Sequence, residues 1–170
     1  MIIWITGLPG TGKTTLAKKI KSILETKISN NIVLLDGDNI RNILPYTISY
    51  SNDERRKLAL FYSKLALIIE QSNCIVICSF VALFHSVQEH TRLRANEYFE
   101  IFLDPSLKEL AKINKKNLYS EKSEYMLKQF SKHEFPKNPE LRLENIKNGI
   151  YQDNISEITK NLLIKLQISI

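Results

Sequence analysis

Cysteine is scarce in this chain, with two residues in 170, and so is histidine, with three. Cys74 and Cys78 stand in or beside an apolar run with no cluster of histidines or further cysteines around them. That excludes a zinc site of the usual ligand spacing and points to core thiols in a reducing compartment. Long apolar runs are also missing. The strongest, Ile75–Phe84, is too short to span a bilayer. Met1–Thr6 has no basic stretch or cleavage site, so the expectation is a cytoplasmic protein with no membrane partner. No segment interleaves basic residues with regularly placed aromatics, which argues against nucleic acid as a partner. No repeat is visible. Guanine readout of the Asn-Lys-x-Asp kind is absent too, because Asn114-Lys115-Lys116-Asn117 lacks the acid.

What is present is an ordinary globular composition, 44% hydrophobic and 25% charged, with a net charge of +6. Such a field draws anions, and the preferred partner is a small nucleotide. The length suits one domain over 1–170, with a mobile lid at about 114–139 where the chain turns polar and lysine-rich.

Strand and helix patterns alternate. Ile2–Thr6, Ile32–Leu35, Cys74–Phe80 and Tyr98–Leu103 read as buried strands. Thr14–Lys27, Ile40–Leu44, a segment capped by Ser51 or Asn52, His85–Asn96, Ser106–Ile113 and Ile155–Ile168 read as helices. This is an α/β, three-layer arrangement, a parallel sheet flanked by helices with a short lid, and its ligands belong at the carboxyl ends of the strands.

Gly7-Leu8-Pro9-Gly10-Thr11-Gly12-Lys13-Thr14 follows the first strand and opens the first helix. It matches the P-loop pattern, so the expected fold is that of a P-loop NTPase. Glycines let backbone N–H groups turn inward around phosphates, and the helix adds its unsatisfied N–H groups and positive dipole end. Gly10, Thr11, Gly12, Lys13, Thr14 and Thr15 are therefore the expected ATP contacts. Lys13 reaches the β- and γ-phosphates, and Thr14 offers its hydroxyl to Mg²⁺. Asp36 and Asp38 end the second strand on the same sheet edge. Two apart in an extended segment, they would point the same way. One, taken as Asp36, would hold magnesium with Thr14, and the other, Asp38, would accept the proton of an attacking hydroxyl. Helix-capping aspartates are the alternative reading.

The order of motifs resembles that of adenylylsulfate kinases over about residues 1–145. It runs Leu35-Asp36-Gly37-Asp38-Asn39-Ile40-Arg41, Ile77-Cys78-Ser79-Phe80-Val81, Phe99–Asp104, Asn117-Leu118-Tyr119 and Asn138–Leu143. The resemblance implies a P-loop kinase that uses Mg-ATP to phosphorylate a nucleotide ribose 3′-hydroxyl. It implies catalytic roles for Asp38, Lys13 and Asp36. It also implies an acceptor site with Arg41 and Arg55 on the 5′ phosphate, Tyr50 and Phe130 sandwiching the base, and Lys128, Phe80 and Val81 nearby. Stacking of that kind contributes ~1–3 kcal/mol with any base. Family members are often dimers, so a homodimer is compatible.

The chain departs from the family at Leu58, where a polar Asn is usual, at Ala82-Leu83, at Ile113-Asn114, and in the shortened Phe130-Ser131-Lys132-His133. No arginine occurs between Arg94 and Arg142. Changed acceptor-side groups with retained ATP chemistry imply a different acceptor. The preferred one is cytidine diphosphoramidate, the substrate of a family branch in bacterial capsule biosynthesis. A genuine adenylylsulfate kinase and a non-catalytic ATP-binding regulator are the alternatives. His133, in the expected lid, reads first as an exposed surface residue, with a phosphate contact as the alternative; Arg92 reads as either a surface charge or a family arginine, and Leu58 and Phe61 as helix-face core.

Overall fold

The computed structural model describes residues 1–28, 31–47, 49, 51–113, 133–144, 151 and 154–166. In chain order the elements are β1 (Ile2–Gly7), α1 (Lys13–Lys27), β2 (Ile32–Asp36), α2 (Gly37–Ile43), α3 (Asn52–Glu70), β3 (Ile75–Phe80), α4 (His85–Arg92), β4 (Tyr98–Leu103), α5 (Leu107–Ile113), β5 (Leu141–Leu143) and α6 (Ile155–Lys165). The strands form one sheet in the order β2-β3-β1-β4-β5, and every pairing is parallel.

The central strand explains the layering. All of β1 is buried, and its side chains alternate between two cores, as the pleat requires. Ile3 and Ile5 join Leu16, Ala17, Ile20 and Leu24 of α1 and Ile158, Leu162 and Leu163 of α6. Ile2 and Trp4 join Ala59, Tyr62 and Ala66 of α3 and Val87 of α4. Each fully buried aliphatic side chain contributes roughly 1.5–3 kcal/mol. A third, small cluster of Leu8, Leu83, Phe102 and Leu110 caps the carboxyl edge. It fixes the start of the phosphate loop to the strands on either side.

Register places the strand ends together. Asp36 pairs with Ser79, Thr6 with Phe80, and Gly7 with Leu103. The loops that leave β1, β2 and β3 therefore emerge side by side.

Four sequence expectations are corrected. Helix α2 begins at Gly37 rather than Ile40, because Asp36 caps it with its own carboxylate. Helix α4 stops at Arg92 rather than Asn96. Beyond it the chain turns on the Thr91 carbonyl, which accepts from Arg94 N and Ala95 N, while Glu70 accepts from Asn96 N and Glu97 N. Strand β5 was not expected; it is a three-residue edge strand with Arg142 at its centre. Phe61 is 41% exposed, whereas Leu58 lies in the core as expected. Among the described residues, no helix is long and apolar enough to cross a membrane.

Arg92 ties the far side of this sheet together. Its guanidinium donates to Glu140, to Glu100 at 3.2 Å and to the Asn138 carbonyl at 3.2 Å, and lies 4.6 Å over the Tyr98 ring. Burial lifts the Glu100 carboxyl to about 6 even though Arg92 favours its charged form. Glu140 is held below the ordinary carboxylate value, because its bonds to Arg92 and to Glu100 N outweigh burial. Removing Arg92 leaves both carboxylates without their cation, so Arg92→Ala is expected to destabilise by about 3 kcal/mol at neutral pH. Both carboxyls then titrate higher in the folded state. The folded protein therefore binds more protons than the unfolded chain, and stability falls as pH rises. Denaturation of the variant should show a smaller loss at pH 5 than at pH 7.5; an equal loss at both would contradict the network.

Candidate active site

The phosphate loop is built around backbone that only glycine tolerates well. Gly12 caps α1 at φ 86°, in the left-handed region. Gly7 has φ +152°, and a Cβ there would lie 2.5 Å from the Leu103 carbonyl oxygen. Gly7→Ala is expected to lower stability by more than about 1 kcal/mol, read as a drop in Tm with no ligand present. An unchanged Tm would mean that the loop is not tied to β4 in this way.

Helix α1 differs from its neighbours at its start. The N-termini of α2 and α3 are capped by Asp36 and Ser51, whereas α1 has neither a side-chain cap nor an acidic residue in its first turn. Its positive end faces the loop of Gly10, Thr11 and Gly12, and no acidic side chain of the helix's own first turn opposes an incoming anion. Lys13 is 8% exposed. Its ammonium donates to the Leu8 carbonyl at 2.7 Å and lies 3.5 Å from Thr11 Oγ1. Thr15 occupies the first turn, beside Thr14, and is exposed.

Thr14, Asp36 and Ser79 form the second part of the site. Thr14 Oγ1 donates to Asp36 Oδ2 at 2.7 Å and lies 3.3 Å from Ser79 Oγ. Asp36 Oδ1 accepts from Asp38 N at 3.0 Å and Asn39 N at 3.4 Å. Burial pushes the Asp36 carboxyl up, but these bonds outweigh it and hold the group below its ordinary value. Asp36 therefore stays ionised at neutral pH. Hydroxyl and carboxylate oxygens gathered at the mouth of a phosphate loop fit a hard divalent cation such as Mg²⁺. Among the described residues, no cluster of three or more histidine, cysteine or acidic side chains offers an alternative metal site.

The expected pairing of Asp36 with Asp38 takes another form. Because the helix begins at Gly37, the two are not an extended pair. The Asp36 carboxylate turns inward to Thr14, while Asp38, in the first turn of α2, is largely exposed and forms an ion pair with Arg41. The capping and functional readings of Asp36 thus both describe the same side chain. Tyr62 tethers this turn: its hydroxyl donates to the Gly37 carbonyl at 3.2 Å, and its ring stacks on Phe80 at 4.2 Å.

On the acceptor side, Phe80 is 1% exposed, held between Tyr62 and Trp4. Val81 packs against the small cluster around Leu8. Arg55, on α3, is half-buried and lies against His133. Tyr50, Lys128 and Phe130 lie outside the described residues, as does most of the expected lid. Three features were missed in the sequence. Ser79 had a signal, a hydroxyl interrupting an apolar strand. The tether through Tyr62 and the clamp made by Glu134, whose carboxylate accepts from His85 N and Arg56, had none, because both depend on contacts distant in sequence.

Comparison with known proteins bears on the family and the fold. The sequence model of the family described as adenylylsulphate kinase matches residues 1–144. A probable adenylyl-sulfate kinase of Aeropyrum pernix is 30% identical over 164 residues, covering 92% of this chain and 88% of that protein. The cytidine diphosphoramidate kinase of Campylobacter jejuni is 33% identical over 119 residues, 70% of this chain and 69% of that protein. The chain spans only 24% of the bifunctional enzyme NodQ of Rhizobium tropici, to which it is 32% identical over 85% of its own length. Among solved structures, the Mycobacterium tuberculosis APS kinase CysC in complex with AMPPNP and APS superposes with a TM-score of 0.71 at 24% identity, covering 98% of this chain and 96% of that one.

Proposed function

The chain belongs to the adenylylsulphate kinase family, and on that premise we propose that it transfers the γ-phosphoryl group of ATP to the ribose 3′-hydroxyl of a small nucleotide. The observation that carries the proposal is the contact between Thr14, at the head of the phosphate loop, and Asp36, at the end of β2. It joins a triphosphate cradle to an ionised carboxylate on the same sheet edge.

Backbone N–H groups from Gly10 to Thr15 and the start of α1 hold the phosphates. Lys13 exchanges the Leu8 carbonyl for phosphate oxygens. Thr14 and Asp36, with Ser79 beside them, are the residues that would hold Mg²⁺, whose role is to neutralise charge on the β- and γ-phosphates. Asp38 accepts the proton of the acceptor hydroxyl. As that oxygen bonds to the γ-phosphorus, the bond to the bridging oxygen breaks and ADP leaves. Arg41, paired with Asp38, and Arg55 bind the acceptor's 5′ phosphate; stacking on its base is assigned to Tyr50 and Phe130 by the family resemblance alone.

We take cytidine diphosphoramidate as the acceptor. The reading is supported by the similarity to the Campylobacter enzyme and by Leu58, which is buried in the core cluster rather than offering a polar group to an acceptor. Adenylylsulfate is the second reading, supported by the longer match to the Aeropyrum protein. ADP release from Mg-ATP, measured with adenylylsulfate, CDP and cytidine diphosphoramidate in turn, tests both. Stimulation by one of them is expected, and stimulation by none would overturn the proposal. Within the same assay, Tyr50→Ala is expected to raise the acceptor KM about tenfold, in line with loss of one stacked base. The KM for ATP should be little changed; equal effects on both would contradict the stacking role.

A further inference from the structure

His133 read first as a surface residue in the sequence. In the structure its ring is set against Arg55: the guanidinium Nη2 lies 3.2 Å from Nδ1 and 3.4 Å from Nε2. Nη2 straddles the ring rather than aligning with one nitrogen. The ring also lies within the field of the Lys13 ammonium. Three basic side chains, from α1, α3 and the segment before β5, thus converge at the carboxyl edge of the sheet.

The segment that carries His133 is clamped in place. Glu134 N donates to the Leu83 carbonyl at 3.0 Å, and its carboxylate accepts from His85 N at 2.6 Å and from Arg56 at 3.4 Å. The Phe135 carbonyl lies 2.7 Å from His85 Nε2, and the Phe135 ring packs on Phe102. The carboxylate nearest to His133 in sequence is therefore committed to α3 and α4. Among the described residues, Arg55 and Lys13, both cations, act on the ring.

We propose that His133 is a phosphate-contacting, specificity-determining residue of the acceptor site, acting with Arg55 and taking up a proton when the acceptor's 5′ phosphate binds. The proposal rests on the kinase reading above and extends it to a residue outside the motifs. Without ligand, burial first, and then Arg55 and Lys13, hold the ring's pKa down to about 4. The imidazole is therefore neutral at physiological pH. A phosphate between these groups reverses the sign of the local field and favours the imidazolium. Acceptor binding then becomes proton-linked, tightening as pH falls. It also adds a cation beside Arg55 from a stretch, between Arg94 and Arg142, that contains lysines but no arginine.

Three histidines make the test direct. The ring signals of His85, His90 and His133 are followed by NMR across pH, with the donor site filled by Mg-AMPPNP, before and after adding CDP or 5′-AMP. The expected result is a His133 transition that moves up by at least two pH units when the acceptor nucleotide is added, while His90 stays put. His133→Ala should raise the acceptor KM about tenfold, and His133→Lys should restore it and abolish its pH dependence. A His133 transition unmoved by bound nucleotide, or a His133→Ala enzyme with wild-type acceptor KM, overturns this inference and leaves the kinase reading standing. If no nucleotide acceptor binds or reacts in the wild type, both fall together.

Discussion

Replacing Lys13 by alanine is expected to lower kcat/KM for phosphoryl transfer by about 10²–10³-fold, the range seen when one preorganised donor to developing charge is removed. The expected loss is functional rather than structural. In the folded protein the Lys13 ammonium donates to the Leu8 carbonyl. That carbonyl also accepts from Thr11 Oγ1 at 2.9 Å and Thr11 N at 3.4 Å. The truncation therefore leaves the Leu8 carbonyl with a donor, and the Tm should move little. Conversely, the buried ammonium leaves a carbonyl for phosphate oxygens when ATP arrives, a charge-assisted exchange that favours binding. Turnover and thermal denaturation of the same preparation separate the two effects. A collapse in Tm that matched the loss of turnover would assign Lys13 a structural role instead.

Asp38→Asn is expected to reduce kcat by about 10²–10⁴-fold, the usual worth of a positioned general base, with ATP affinity largely kept. The structure supports this separation of effects. Asp38 contributes its backbone N–H to the Asp36 carboxylate, and its side chain is exposed and forms an ion pair with Arg41. The amide side chain of Asn keeps that backbone bond and the helix turn but cannot take the proton. Asp36→Asn should behave differently: it weakens the Thr14 contact and the cap of α2 together, so binding of Mg-ATP and Tm should fall alongside kcat. Wild-type turnover in Asp38→Asn would remove it from the base role.

Much of this architecture was legible in the sequence for one physical reason. Strands buried on both faces of a parallel sheet are largely apolar, so β1, β2, β3 and β4 stand out as short runs, three of them closed by glycine or aspartate at Gly7, Asp36 and Asp104. The phosphate loop was legible because its glycines answer a backbone requirement, visible here at Gly7 and Gly12. Strand β5 was hidden by its length and by the exposed Arg142 at its centre. The start of α2 was hidden because a capping aspartate and a strand-terminal aspartate look alike until the backbone is seen. His133 was left between a surface residue and a phosphate contact, and the structure half-buries it. Its burial comes from Glu134 reaching α3 and α4, contacts that no local pattern encodes. Arg92 was left between two readings for the same reason, since Glu100 and Glu140 converge on it only after the sheet has formed.

The central claim is that an alcohol readied by Asp38 attacks a triphosphate held by the Gly7–Thr15 loop. It is tested most directly by following the label from γ-³²P-ATP in a single turnover with cytidine diphosphoramidate or adenylylsulfate as acceptor. The account requires the label on the 3′-oxygen of the acceptor's ribose, formed with ADP and lost in Asp38→Asn. Label appearing as free phosphate at the same rate with or without a nucleotide acceptor would contradict it.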